Sequence, residues 1–318
     1  TVLTALLDEI RRLGVHTAFG QRVTHVECTG DGFAIRTPHT TWHAAQLVLA
    51  TGGLSLPKTG SDGSGYGLAQ SLGHTLVPTT PALAPLLLEG DFHTPLSGIA
   101  HDVELTIRAA GQKPVRLAGA MLWTHFGISG PVVLNVSGLW HRARLEGLEV
   151  SVTANLLPGD DFQRAEQWLL SAAAARPRAS LSTALAERLP ARVAEAVLRR
   201  LGIAAHVPLA HLAREDRRRL VAALLEWPLP VRDSRGYKYA EVTAGGVPLS
   251  EVDPRTMASR VCPGLYLVGE ILDVDGRIGG FNFQWAWSSA MVAGTAIARH
   301  AEGAADATDD SAARVGPS

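Results

Sequence analysis

The chain has 318 residues and a mass of 33.7 kDa, enough for two domains at about 150 residues each. Hydrophobic residues make up 46%, which excludes disorder, and 29 Lys and Arg against 30 Asp and Glu leave a net charge of −1. That balance gives no global field for nucleic acid or an anionic membrane. Two cysteines, Cys28 and Cys262, exclude a disulfide framework, and no apolar run approaches the ~18 residues of a membrane span. The composition is expected of a soluble, cytoplasmic protein with a large core. The first residue is Thr1 and not Met, and it opens directly on a helical pattern, which suggests processing or a fragment.

Leu3, Leu6, Leu7, Ile10 and Leu13 recur at helical spacing before Gly14, so residues 1–13 are predicted as an amphipathic helix. Strands follow over 22–27 and 33–37, joined by the hairpin chemistry of Thr29-Gly30-Asp31-Gly32. Residues 46–50 are almost continuously apolar, as in a strand buried on both faces, and end in Thr51-Gly52-Gly53. A Gly-rich loop over 57–67 runs into a short helix over 64–73. From Leu83 to Asn155, strand-like pieces at 103–108, 115–118, 132–136 and 148–154 alternate with Pro and Gly breaks. They predict an antiparallel barrel or sandwich. From Asp160 to Trp227 the composition turns to Ala, Leu and Arg, with helices starting near Asp161, Ser182, Pro190 and Leu209. This reads as a helical subdomain inserted into the β region. Strand character returns over 231–252, and a last strand, 265–269, leads through a Gly-rich loop into a long helix over 282–299. The polar, Ala-rich tail that follows is predicted to be disordered.

Ten arginines lie between Arg176 and Arg219 against Glu187, Glu195, Glu215 and Asp216, a local excess of +6. No aromatic residue interleaves them, so stacking on bases has no platform there. The whole chain holds only three lysines. The excess is read as a solvated helix face, and nucleic acid is not an expected partner.

Three glycine clusters carry the chemistry. Ala50-Thr51-Gly52-Gly53 closes a buried strand, where glycines let backbone approach a ligand; a plain tight turn is the equal alternative. The run from Thr59 to Gly67 lacks the Gly-Lys-Ser/Thr ending of a Walker A loop, and a loop capping the next helix is preferred over a phosphate cradle. The third cluster runs from Gly269-Glu270 to Ala290, and its Gly279-Gly280 step opens the last helix. Backbone N–H groups at such a start attract negative charge. Asp273-Val274-Asp275-Gly276 is too incomplete for a calcium loop.

Together these residues resemble the YhiN/BaiN-like family of NAD(P)/FAD-dependent oxidoreductases. The match is carried by Gly269 to Ser289, by Thr51 to Gly63, by Thr124-His125-Phe126-Gly127-Ile128-Ser129-Gly130-Pro131, and by Thr243-Ala244-Gly245-Gly246-Val247. It covers roughly Thr1 to His300. Small departures are Phe281, Phe283 and Ala290, where the family favours Tyr, Leu and Gly. The resemblance implies an α/β fold: a split, Rossmann-like FAD-binding domain of the two-dinucleotide-binding type, with an inserted antiparallel β-barrel-like domain and a helical subdomain. The expected boundaries are 1–82 and 263–300 for the FAD domain, 83–157 and 229–262 for the barrel, 158–228 for the helices, and 301–318 for the tail. The family's G-x-G-x-x-G turn is not found among the 318 residues, so the chain is read as an N-terminally truncated member.

The resemblance further implies hydride transfer from NAD(P)H through FAD to a small organic substrate. The alternative is a cofactor-free fragment or binding remnant without catalysis of its own. On the FAD reading, Gly279, Gly280, Phe281, Asn282 and Phe283 present a helix start to the flavin. Glu270, beside Gly269, accepts a ribityl hydroxyl. Thr51, Gly52 and Gly53 line the dinucleotide, and Val23 offers backbone to the adenine. Asp273 stands near the pyrophosphate or orders its loop. His125 is a candidate proton donor, with a turn-stabilising histidine as the alternative. The other eleven histidines show no ligand spacing, so no metal is expected. Cys28 and Cys262 form no C-x-x-C, so a redox disulfide partnered with the flavin is not expected.

Overall fold

The computed structural model describes the backbone of residues 1–313 and the side chains of residues 1–301; residues 314–318 lie outside it. Helix α1 (Val2–Arg12) is N-capped by the Thr1 hydroxyl, which accepts from the Thr4 N–H, and buries none of its residues. Strands β1 (His25–Thr29), β2 (Gly32–Arg36) and β3 (Thr41–Ala44) form an antiparallel three-stranded sheet whose first hairpin closes at Thr29 and Gly32. Strand β4 (Leu47–Leu49), helix α2 (Ser64–Ser71) and strand β5 (Val77–Ala82) follow.

The middle of the chain contributes β6 (Leu86–Leu88), β7 (Ala100–Ala109), β8 (Val115–Thr124), β9 (Gly127–Ser129), α3 (Pro131–Leu145) and β10 (Val150–Asn155). Four helices come next: α4 (Phe162–Ala175), α5 (Leu181–Leu185), α6 (Ala191–Leu201) and α7 (Arg214–Leu225). The last elements are β11 (Trp227–Leu229), β12 (Val231–Ser234), β13 (Val242–Gly246), β14 (Leu265–Leu267) and α8 (Phe281–Ala313).

Seven strands make one antiparallel sheet in the order β11-β10-β7-β8-β9-β6-β12. The sheet is open, with β11 and β12 at its edges, where the sequence predicted a barrel or sandwich and the resemblance implied a barrel-like domain. Helix α3 packs on β7 and β8, and α7 packs on β10 and β11. A sheet whose apolar side chains are covered by helices has no need to close on itself. Residues 132–136, predicted as a strand, belong to α3. Gly130 turns the chain at φ 95°, Pro131 occupies the first helical turn, and Val132, Val133, Val136, Trp140 and Ala143 are buried at helical spacing. That period shows only over a window longer than the five apolar residues that suggested a strand.

Strand β14 pairs with β4 in parallel, Leu265 opposite Leu47 and Leu267 opposite Leu49. The pairing sets Thr51-Gly52-Gly53 and Gly269-Glu270 side by side at the carboxyl ends of two parallel strands, the end at which α/β sheets bind ligands. Helix α8 runs through Ala313, past the Arg299 end predicted for it. The alanines there continue a helix as readily as they end one; residues 314–318 of the predicted disordered tail lie outside the described residues. Among the described residues, no helix is long and apolar enough to cross a membrane.

Candidate cofactor site

A cavity of about 640 Å³ opens beside the carboxyl ends of β4 and β14. Its size lies in the ~300–1,000 Å³ range of small-molecule and cofactor sites. Gly52, Gly269, Glu270, Gly279, Gly280, Asn282 and Phe283 all line it, so seven residues named from the sequence converge on one space. Apolar side chains, among them Leu56, Leu83, Val242 and Ile278, form much of the remaining wall.

The wall is fixed by hydrogen bonds from the start of α8. Trp285 Nε1 donates to the Gly269 carbonyl at 3.1 Å, and Ser289 Oγ accepts from the Gly269 N–H at 3.0 Å. Gly269, just after β14, is thus held at both its N–H and its carbonyl by a single helix face. The loop before α8 is fixed in the same way. Asn282 Oδ1 accepts from the Gly276 N–H at 2.7 Å, Asn282 Nδ2 donates to the Gly276 carbonyl at 3.1 Å, and Asn135 Oδ1 on α3 accepts from the Ile278 N–H at 2.9 Å. Gly280, at φ 86°, makes the turn into α8 and has open space where a Cβ would stand.

Glu270 joins three segments. Its Oε1 accepts from the Thr243 N–H at 2.8 Å, while Thr243 Oγ1 accepts from the N–H groups of Leu54 and Ser55 at 2.8 and 3.1 Å. Gly53 fits between them: a Cβ there would come within 2.6 Å of Thr243 Oγ1 and 2.7 Å of Glu270 Oε1. Burial pushes the Glu270 carboxyl above the ordinary carboxylate range, against the stabilising hydrogen bonds from Thr243. Thr243 and Asn135 hold this site, yet their sequence surroundings gave them no such role. Thr243 was visible only as part of a motif, and Asn135 lay in the stretch predicted as a strand.

The remaining predicted residues stand outside the cavity lining. Gly53 sits behind Glu270. Among the described residues, the buried hydroxyls of Thr51, Ser61 and Tyr66 have no hydrogen-bond partner; Thr51 lies against Gly65 and Ser61 against Gly52. Burial, reinforced by the Glu270 charge, pushes the Tyr66 hydroxyl up. Val23 is half-buried against the core that surrounds β4 and β14. Asp273 is half-buried, its N–H tied to the Val247 carbonyl at 2.8 Å. Phe281 is exposed beneath the Arg277 guanidinium. His125 is exposed in the turn between β8 and β9, edge-on to Phe126 at 5.1 Å. Among the described residues, no three His, Cys, Asp or Glu side chains are grouped to hold a metal ion.

Residues 1–296 match the model of the HI0933-like protein Rossmann domain. The chain belongs to the HI0933-like family. This is a family of FAD-dependent Rossmann oxidoreductases. The chain is 36% identical over 289 residues to the ribosomal RNA dihydrouridine synthase of Escherichia coli K12, covering 91% of this chain and 70% of that one. It is 34% identical over 298 residues to the 3-dehydro-bile acid delta(4,6)-reductase of Clostridium scindens, covering 94% and 73%. A ribosomal RNA dihydrouridine synthase of Haemophilus influenzae is 33% identical over 304 residues, covering 94% and 72%.

Two of these HI0933-like relatives are named for a modification of ribosomal RNA, which overturns the exclusion of nucleic acid made from the arginine-rich helices. Several of those arginines are paired with carboxylates: Arg176 with Glu187, Arg188 with Asp160, Arg217 with Glu166 and Arg219 with Asp216. A stacked basic and aromatic group lies elsewhere, with the Arg235 guanidinium over Tyr239 at 3.3 Å and over Phe126 at 4.7 Å. A net charge near zero does not speak against such a local surface.

Proposed function

We propose that the chain is a flavin-dependent reductase that takes hydride from NAD(P)H and saturates a carbon–carbon double bond conjugated to a carbonyl, with a uracil base of RNA as its acceptor. The observation that carries this is the glycine-walled cavity at the start of α8, in a member of a flavoprotein family. The two kinds of relative differ in substrate, but their names share that one chemistry.

The residues present suit a flavin. The cavity has the volume for it, Gly280 leaves its backbone open to a ligand, and unpartnered buried hydroxyls lie beside the Gly52 loop. When bound, FAD supplies the hydride-carrying ring. Gly279 to Phe283 offer backbone N–H groups and the positive end of α8 to the flavin edge that gains negative charge on reduction, an effect of about 0.3–1 kcal/mol. Glu270 accepts from a ribityl hydroxyl while Thr243 holds its other side. Thr51, Gly52 and Gly53 border the dinucleotide, Val23 offers backbone to adenine, and Asp273 lies on the pyrophosphate side. His125 acts on the substrate side as proton donor. The segment from Arg235, which stacks on Phe126 next to His125, to Glu241, which lines the cavity, supports that assignment.

The test is to load the chain with FAD and supply NADPH with a uridine-containing ribosomal RNA. The expected product carries two added hydrogens on one uracil. Flavin that binds, but whose NADPH oxidation never responds to RNA, would overturn the acceptor. The apolar wall of the cavity favours one second reading, a conjugated 3-oxo steroid. A Δ4,6-3-oxo bile acid in the same assay separates the two.

A further inference from the structure

We propose that Cys28 and Cys262 are a redox modification site: hydrogen peroxide converts them to a disulfide that ties β1 to the turn entering β14, and a dithiol reductant restores them. The two residues are 234 positions apart, yet their Sγ atoms stand 2.9 Å from each other. Small side-chain rotations bring such a pair to a bond of about 2.05 Å. They are the only cysteines in the chain.

The two thiols differ in environment, and the difference assigns their order of reaction. Cys28 is exposed on β1, and Cys262 is buried. Burial, with the neighbouring Cys28, pushes the Cys262 thiol up to about 12. Cys28 is therefore the sulfur that meets peroxide. Its thiolate attacks one peroxide oxygen; an S–O bond forms, the O–O bond breaks and water leaves, giving the sulfenic acid. Cys262 then gives up its proton, its sulfur attacks the Cys28 sulfur, the S–O bond breaks, and the departing hydroxide takes the proton as a second water. Two thiols and one peroxide become one disulfide and two waters.

Cys262 is held ready for the second step. Its N–H donates to Ser259 Oγ at 2.8 Å, Ser259 Oγ meets His74 Nε2 at 2.8 Å, and His74 Nδ1 meets Glu251 Oε2 at 2.7 Å. The His74 side chain is fully buried. This chain of contacts anchors the backbone that carries the resolving sulfur.

The experiment treats the folded full chain with a slight excess of hydrogen peroxide, then blocks free thiols under denaturing conditions. Expected are loss of both thiols, a monomer lighter by two hydrogens, one Cys28–Cys262 linked peptide, and full reversal by dithiothreitol. In Cys262→Ser, dimedone should label Cys28 once. In Cys28→Ser, Cys262 should remain a thiol under the same treatment. Two surviving thiols in the wild type, independent over-oxidation of each, or disulfides only between chains would overturn the proposal.

Discussion

The seven-stranded sheet with α3–α7 and the region around β4 and β14 solve the burial problem differently. In the first, Leu86, Leu105, Trp123, Ile128, Leu185 and Leu220 join one continuous core that extends from the strands into the helices. In the second, a smaller core around Phe33, Leu49, Tyr66 and Leu267 coexists with apolar side chains left on the surface. Leu3 and Leu6 on α1 and Leu13 just after it are exposed, as are Phe283, Trp287 and Met291 on α8. The lesson is a division of labour. Stability is concentrated in the sheet and its helices, and the candidate site lies in the region with less buried apolar surface, where backbone and glycine face open space.

The two cores should respond differently to truncation. Trp123→Ala empties a fully buried site in the sheet and is expected to cost about 3–5 kcal/mol in urea unfolding. Leu6→Ala on α1 is expected to change stability by no more than about 0.5 kcal/mol. Equal effects would erase the distinction between the regions.

Gly53→Ala sharpens it at the site. Its Cβ collides with Thr243 and Glu270, and overpacking of this kind costs about 1–3 kcal/mol. Flavin affinity should fall at least tenfold by fluorescence titration, while the near-ultraviolet signal of the sheet tryptophans stays as in the wild type.

A gentler probe is pH. Glu270 is held above the ordinary carboxylate range by burial. The folded chain keeps a proton there that the unfolded chain has lost, so this carboxyl lowers stability as pH rises from the unfolded value toward the folded one. Glu270→Gln, still able to accept from Thr243, is predicted to melt above the wild type at pH 8, with the gap closing toward pH 4. The smallest effect is reserved for the helices. Arg176 pairs with Glu187 in solvent, and Arg176→Ala should leave the melting temperature unchanged.

Much of this was legible in sequence because the signals were local. Thr1 and Asp161 cap the helices they were expected to start, and Thr29 to Gly32 closes the expected hairpin. Gly279-Gly280 was recognisable as a helix start from composition alone. Four features were not legible, each for a physical reason. Helix α3 begins in Val-rich sequence whose strand preference is overridden by packing against β5, β7 and β8. Closure of the sheet depends on helices far along the chain. The Cys28–Cys262 approach and the Glu270–Thr243 bond join segments that only the folded chain brings together. His125 was named by its motif; the sequence could not show that it stands in an exposed turn outside the cavity lining, related to that cavity through the Arg235–Glu241 segment.

The central claim is that the cavity beside Gly269 and Gly280 receives the flavin ring. Equilibrium titration of FAD into the wild type and into Ala290→Trp, which fills that cavity from α8, tests it most directly. Flavin fluorescence should be quenched saturably in the wild type and not in the variant, with both proteins melting at the same temperature. Equal affinity in the two proteins, or no saturable binding to the wild type, would contradict it.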